Sequence, residues 1–223
     1  LTSMRRAIIE RVTRSKRDIP HFYVTQEIDM SVARRLLAEL KAAYPERRVT
    51  LTHLIMRTVI AALARHPRLN ARLTEDSIEE IASVHLGFVV GLEDGMIIPV
   101  LHEAETLSFL ELVERATDLE KRALARRLQA GDLTGRTFTI SNMGMLGIDA
   151  FQAVISPPDA AILAVGRLAE RPVARGGSLV VAPTMFATLS CDHRIVDGAQ
   201  AARFMTDWQA LLQDEELHHL LEP

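Results

Sequence analysis

"TLSCDHRIVDGAQAARFM" (residues 188–205) decides the fold: an apolar, β-rich run ends in Asp192, His193 and Arg194, and an amphipathic pattern begins past Asp197 and Gly198. It reads as a strand feeding a helix through a tight polar turn. Imidazole changes charge at about pH 6.5, so His193 at the end of that strand is a candidate general base. Asp197 has two readings. Four residues after His193 it can be a catalytic partner. Followed by glycine and an amphipathic run, it can equally be a helix N-cap whose carboxylate accepts the free N–H groups of the first turn.

Upstream of this stretch, the short β-rich runs "TFTIS" (137–141), "AAILAVGRL" (160–168), "SLVVAP" (178–183) and "MFATLSC" (185–191) are divided by Gly and Pro. Downstream the last helix is "GAQAARFMTDWQALLQ" (198–213). At the other end, Met4, Ile8, Ile9 and Val12 recur at helical spacing in "LTSMRRAIIERVTRSK" (1–16), with Thr2 or Ser3 as the cap. "HFYVTQEIDM" (21–30) reads as a strand, and Ser31 as the cap of "VARRLLAELKAAY" (32–44). "LTHLIMRTVIAALARH" (51–66), after Thr50 or Thr52, is apolar nearly all round and predicts a buried helix.

In the middle, "IEEIASVHLGFVVGL" (78–92) and "MIIPVL" (96–101) flank Glu93-Asp94-Gly95, where Asp-Gly favours the left-handed geometry of hairpin turns. "LSFLELVERATDLEKRALARRLQA" (107–130) predicts the longest helix, with Leu110, Val113, Leu119 and Leu124 on or near one stripe. These elements amount to an α+β fold, a mixed β-sheet flanked by helices. With no linker, repeat or low-complexity segment, residues 1–223 read as a single domain.

Composition narrows the function. Apolar residues make up 48% of the 223 and charged ones 25%, enough for a sizeable core. The 26 Lys+Arg against 29 Asp+Glu give a net charge of -3, so no overall basic field points to nucleic acid or membrane. Basic runs such as "MRR" and "KRALARR" read as solvated helix faces. The lone Cys191 excludes an intrachain disulfide framework and a Cys-rich zinc site, which makes a reducing compartment the default. No apolar run is long enough to span a bilayer and no leader pattern is present. No metal is expected, since "HExxH" and "CxxC" are both missing. The start at Leu1 suggests a piece of something longer.

"GRTFTISNMGMLGID" (135–149) runs a β-like segment into Ser141, Asn142 and a glycine-rich turn. Ser141 could be a nucleophile, but the "GxSxG" elbow is missing. Its hydroxyl could donate to an oxyanion that develops on a carbonyl, or only satisfy the turn together with Asn142. A histidine base and a separate hydroxyl donor fit acyl transfer to a thiol, with no covalent enzyme intermediate required.

Five blocks, "MRRAIIERVTRSKRDIPHFYVTQEIDM", "HPRLNARL", "GFVVGLEDGMIIPV", "GDLTGRTFTISNMGMLGIDAFQAVISPPDAAILAVG" and "LSCDHRIVDGAQAARFM", occur in order from Met4 onward. Together they resemble the catalytic core of the dihydrolipoamide acyltransferases, the central components of 2-oxo acid dehydrogenase complexes. The resemblance implies a chloramphenicol acetyltransferase-like fold and a homotrimer, with active sites in channels between subunits. Coenzyme A would enter from one end and a dihydrolipoyl arm from the other. His193 would deprotonate the thiol, and Ser141 would reach the tetrahedral oxyanion across the interface. Asp197 would pair with an arginine, for which Arg5 or Arg6 is the candidate, and Thr52, Asn142 and Gly166 would lie near the coenzyme.

The resemblance further implies a larger assembly and, as partners, a lipoyl domain and the dehydrogenase and dihydrolipoamide dehydrogenase components. The lipoyl and peripheral-subunit-binding domains are absent from these residues. Location would be the cytoplasm, or the mitochondrial matrix in a eukaryote. Gly91 stands where the family often has an aspartate, so a carboxylate contact to coenzyme A is lost or supplied by Asp94. "FTISNMGMLGIDAF" (138–151) resembles the acetyl-transferring members more than the succinyl or branched-chain ones. The alternative is a non-catalytic scaffold, against which the retained His193, Asp197 and Ser141 count. Chloramphenicol acetyltransferase itself is disfavoured by Asp192, where that family has a second histidine.

Overall fold

The computed structural model describes residues 1–221; the side chains of residues 3, 4 and 218 fall outside the described set, and with them the apolar role expected of Met4. In chain order the elements are α1 (Ser3–Asp18), β1 (His21–Asp29), α2 (Ser31–Ala43), α3 (Leu51–Leu63), the hairpin β2 (Ala71–Leu73) and β3 (Ile78–Glu80), and β4 (Leu86–Phe88). There follow a second hairpin, β5 (Val90–Leu92) and β6 (Gly95–Ile97), then β7 (Val100–Leu101) and α4 (Phe109–Leu124). The chain continues with β8 (Phe138–Asn142), β9 (Ala161–Val165), β10 (Ala169–Arg175), β11 (Ser178–Asp192) and α5 (Gly198–Gln213).

Among the described residues the main sheet has seven strands in the order β1-β11-β9-β8-β4-β7, with β10 also paired to β11. It is mixed: β8 runs parallel to both β4 and β9, and the other pairs are antiparallel. Alternation along each strand sorts side chains to two faces. Phe138 and Ile140 of β8, Leu163 and Val165 of β9, and Leu189 of β11 join the helices in one large core cluster. Ile162 and Ala164 turn to the far face and meet Ile19, Ala153 and Ile155 there.

Capping decides the helix starts. Thr50 closes a capping box with His53 on α3, and Ser108 does so with Glu111 on α4. The expected cap at Ser31 is overturned: Ser31 is already helical, and its N–H and hydroxyl both donate to Asp29, at 2.9 and 2.6 Å. The expected helix over 107–130 stops at Leu124, which is exposed, and Arg126 takes φ 55°. At 16 residues α4 equals α1 and α5 and does not exceed them. The hairpin at Glu93-Asp94 forms without any left-handed residue there.

The division at Pro183 is likewise overturned, because β11 runs unbroken from Ser178 to Asp192. The Pro183 carbonyl accepts the Met30 N–H at 2.8 Å. The proline's missing N–H thus faces the flank where β1 has just ended, and no ladder bond is lost.

Candidate functional site

His193 directly follows the last residue of β11. Its N–H donates to the Pro20 carbonyl at 3.0 Å, and its exposed ring lies 4.6 Å from that of Phe22. The turn is held by the buried Asp192 carboxylate, which accepts from the Arg194 backbone N–H at 3.0 Å and from the Arg194 guanidinium at 2.7 Å. Asp197 caps α5: Oδ1 accepts the Gln200 N–H at 2.8 Å while the Gln200 side chain accepts the Asp197 N–H at 2.9 Å.

The arginine partner expected for Asp197 is therefore corrected. Among the described residues no arginine pairs with it, and Arg5 instead donates to the Asp94 carbonyl at 3.4 Å. The arginine–carboxylate pair of this turn is Arg194–Asp192, formed because a partner two residues away needs no long-range closure. Asp94, the possible substitute for a carboxylate at Gly91, spends its carboxylate on Arg126 at 2.9 Å.

Ser141 is buried on β8, on the far face with Thr139. Asn142, one residue on, reaches the helical side, where its amide donates to the Thr52 hydroxyl at 3.0 Å and accepts the Gly144 N–H at 2.8 Å. Thr52 and Asn142 are thus brought together. The Gly166 N–H donates to the Phe186 carbonyl at 2.9 Å, and a Cβ there would stand 1.8 Å from the Asp149 carbonyl. Only glycine lets the turn after β8 close so tightly on the end of β9.

Ser141 and His193 do not meet within the chain. Ser141 is in register with Ala164, and Ala164 with Thr188 of β11, five residues before His193. At roughly 3.3 Å per residue and 4.8 Å per strand, the two Cα atoms are about 19 Å apart. They also serve opposite faces, since Phe22, beneath the His193 ring, packs against the helix-side core.

Sequence reasoning passed over three contributors. His21 holds the start of β1: Nδ1–H donates to the Ile19 carbonyl at 2.8 Å while Nε2 accepts the Ile155 N–H at 3.1 Å. Burial lowers its pKa and so favours this neutral ring. Arg136 and Asp159 form an ion pair at 3.0 Å buried on both sides. The "RT" and "PPD" that carry them give no periodic or motif signal.

Burial pushes the Cys191 thiol up and keeps it protonated, so it is no nucleophile. Among the described residues no three His, Cys, Asp or Glu side chains converge as a metal ion needs, and no helix is long and apolar enough to cross a membrane.

The mixed sheet, with its main core packed under helices on one face, has a chloramphenicol acetyltransferase-like fold. The likeness to chloramphenicol acetyltransferase itself, a TM-score of 0.60 at 15% identity over 91% of this chain and 94% of that one, is one of fold. The chain belongs to the family of 2-oxoacid dehydrogenases acyltransferases (catalytic domain), whose family model matches residues 1–220.

Among its relatives is the mitochondrial dihydrolipoyllysine-residue acetyltransferase component of the pyruvate dehydrogenase complex of Schizosaccharomyces pombe, 38% identical over 96% of this chain and 45% of that protein. The chain spans about half the length of the curated relatives it matches. Among solved structures, the dihydrolipoamide acetyltransferase of Azotobacter vinelandii, studied for the catalytic roles of a serine, a histidine and an asparagine, superposes with a TM-score of 0.94. It is 27% identical, over 100% of this chain and 92% of that one.

Proposed function

We propose that the chain transfers an acyl group, acetyl by preference, between dihydrolipoamide and coenzyme A, in sites each shared by two copies of the chain. The observation that carries this is the separation of His193 and Ser141: two groups about 19 Å apart cannot serve one carbonyl, whereas two copies can bring them together. The spacing of the studied residues in the Azotobacter relative supports the assignment. Its serine and histidine lie fifty-two residues apart and its asparagine four further on, as do Ser141, His193 and Asp197.

In this reading the His193 imidazole takes the proton from the thiol of coenzyme A, and the thiolate attacks the thioester carbonyl carbon of the acyl-dihydrolipoyl group. The Ser141 hydroxyl of a neighbouring copy donates to the oxyanion. Collapse expels the dihydrolipoyl sulfur, which takes the proton back from the imidazolium. Asp197 acts at a distance, by fixing the first turn of α5 behind the turn that presents His193. Thr52, Asn142 and Gly166 shape the coenzyme side, the first two by tying α3 to β8 and the third by letting the following turn close.

A homotrimer, the state the family resemblance implies, closes a ring in which every site has a neighbour. A larger core, a lipoyl domain and the partner dehydrogenases would complete the system, in the cytoplasm or the mitochondrial matrix. Residues 1–223 act here as one catalytic domain to which the lipoyl substrate is delivered. The test is acetyl-CoA with dihydrolipoamide on the purified chain. His193→Ala is expected to lower kcat by at least about 100-fold with native mass unchanged. Full activity in that variant overturns the role of His193, and a wild-type chain that assembles without turnover favours the scaffold reading.

A further inference from the structure

Residues 151–160 cross the far face of the sheet as a strap between the strand of Ser141 and the turn of His193. Near His193 the strap takes bonds from Ser190 to the Ala153 carbonyl (2.8 Å) and from Ser15 to the Ile155 carbonyl (2.5 Å), beside the contact with His21. At its other end the Arg136 guanidinium donates to the Ser156 carbonyl at 2.9 Å, the Ser156 hydroxyl at 2.8 Å and the Pro157 carbonyl at 3.0 Å.

Asp159 closes this end. Its side chain is wholly buried, and Oδ2 alone takes both the Arg136 Nε–H at 3.0 Å and the Thr139 hydroxyl at 2.5 Å. Oδ1 has no hydrogen-bond partner among the described residues. A carboxylate so placed is costly, and it lies on the face of β8 opposite to Phe138 and Ile140, which bury that strand in the main core.

What the arrangement does is bracket Ser141. Asn142, one residue after it, is tied to Thr52 from the helical side; Thr139, two residues before it and on its own face, is tied to Asp159. An oxyanion donor acts only when placed to within about 0.5 Å, so a strand held from both faces is what such a donor requires.

We propose that Asp159, locked by Arg136, is a positioning residue that sets the Ser141 hydroxyl through Thr139. The proposal rests on the reading of Ser141 as the oxyanion donor. Its test is a double-mutant cycle on the assembled protein, with kcat and the KM for coenzyme A measured for Thr139→Val, Thr139→Ser, Ser141→Ala and Thr139→Val with Ser141→Ala. Thr139→Val is expected to lower kcat about tenfold with KM changed less than about twofold, and Thr139→Ser to restore it. In the Ser141→Ala background Thr139→Val is expected to have no further effect, because the group it positions is gone.

The same factor lost in both backgrounds, or a Thr139→Val variant with unchanged kcat, overturns the proposal while leaving Ser141 in its role. A Ser141→Ala variant with wild-type kcat overturns both. Should Thr139→Val fail to assemble, Asp159→Asn enters the same cycle, with the same coupling expected and additivity as the contradicting result.

Discussion

At the residue scale, position was legible where one side chain decides it and illegible where two must find each other. His193 at a strand end, Ser141 at another and the Asp197 cap all follow from residue type and local pattern, and Asp197 occupies its N-cap as the glycine behind it foretells. The arginine partner did not follow, because pairing depends on where the turn folds back, and Arg194 is already beside Asp192. His53 carries a pH effect. Burial, with Arg48 adding in the same direction, pushes it down to about 4. The unfolded chain then binds more protons than the folded one between about pH 6.5 and 4, so this contribution is complete above 6.5 and lost as pH falls through that window. The loss is about 3 kcal/mol. Replacing His53 with Gln should flatten the acid limb of stability, read by chemical denaturation with Trp208 as the buried reporter; an unchanged limb contradicts the assignment.

At the element scale, apolar periodicity revealed the helices and most strands, since burial acts on every residue of such a run. β10 escaped because its row, "AERPVAR", is polar and holds Pro172, and it is a strand only because β11 runs beside it. The β10–β11 connection uses Gly176 and Gly177, at φ 57° and 80°, as a hairpin turn needs. The strap over 151–160 had no signal at all: its order comes from Arg136, His21, Ser15 and Ser190, which lie far from it in sequence. Two substitutions test these elements. Arg136→Ala leaves Asp159 buried and unpaired, at a cost of about 3–5 kcal/mol, whereas Arg136→Met with Asp159→Leu should recover most of that stability. Gly166→Ala drives its Cβ against the Asp149 carbonyl and should lower Tm by several degrees, about 2 °C or more per kcal/mol for a chain of this size. An unshifted melting curve in either single variant contradicts the packing described.

At the scale of the whole molecule, the sheet that holds Ser141 and His193 also keeps them apart. Register fixes the distance, and no side-chain rotation closes about 19 Å. In the proposed reading one fold supplies two half-sites, with which the exposed His193 ring and the exposed Met145 and Leu146 in the turn after β8 agree. A site completed by a second copy is testable by co-expressing His193→Ala and Ser141→Ala chains and assaying acetyl transfer from acetyl-CoA to dihydrolipoamide. Each variant alone should be nearly inactive. In mixed rings about one site in four pairs an intact histidine with an intact serine, so recovery to roughly a quarter of the wild-type rate is expected; mixed assemblies no more active than either parent would contradict a shared site.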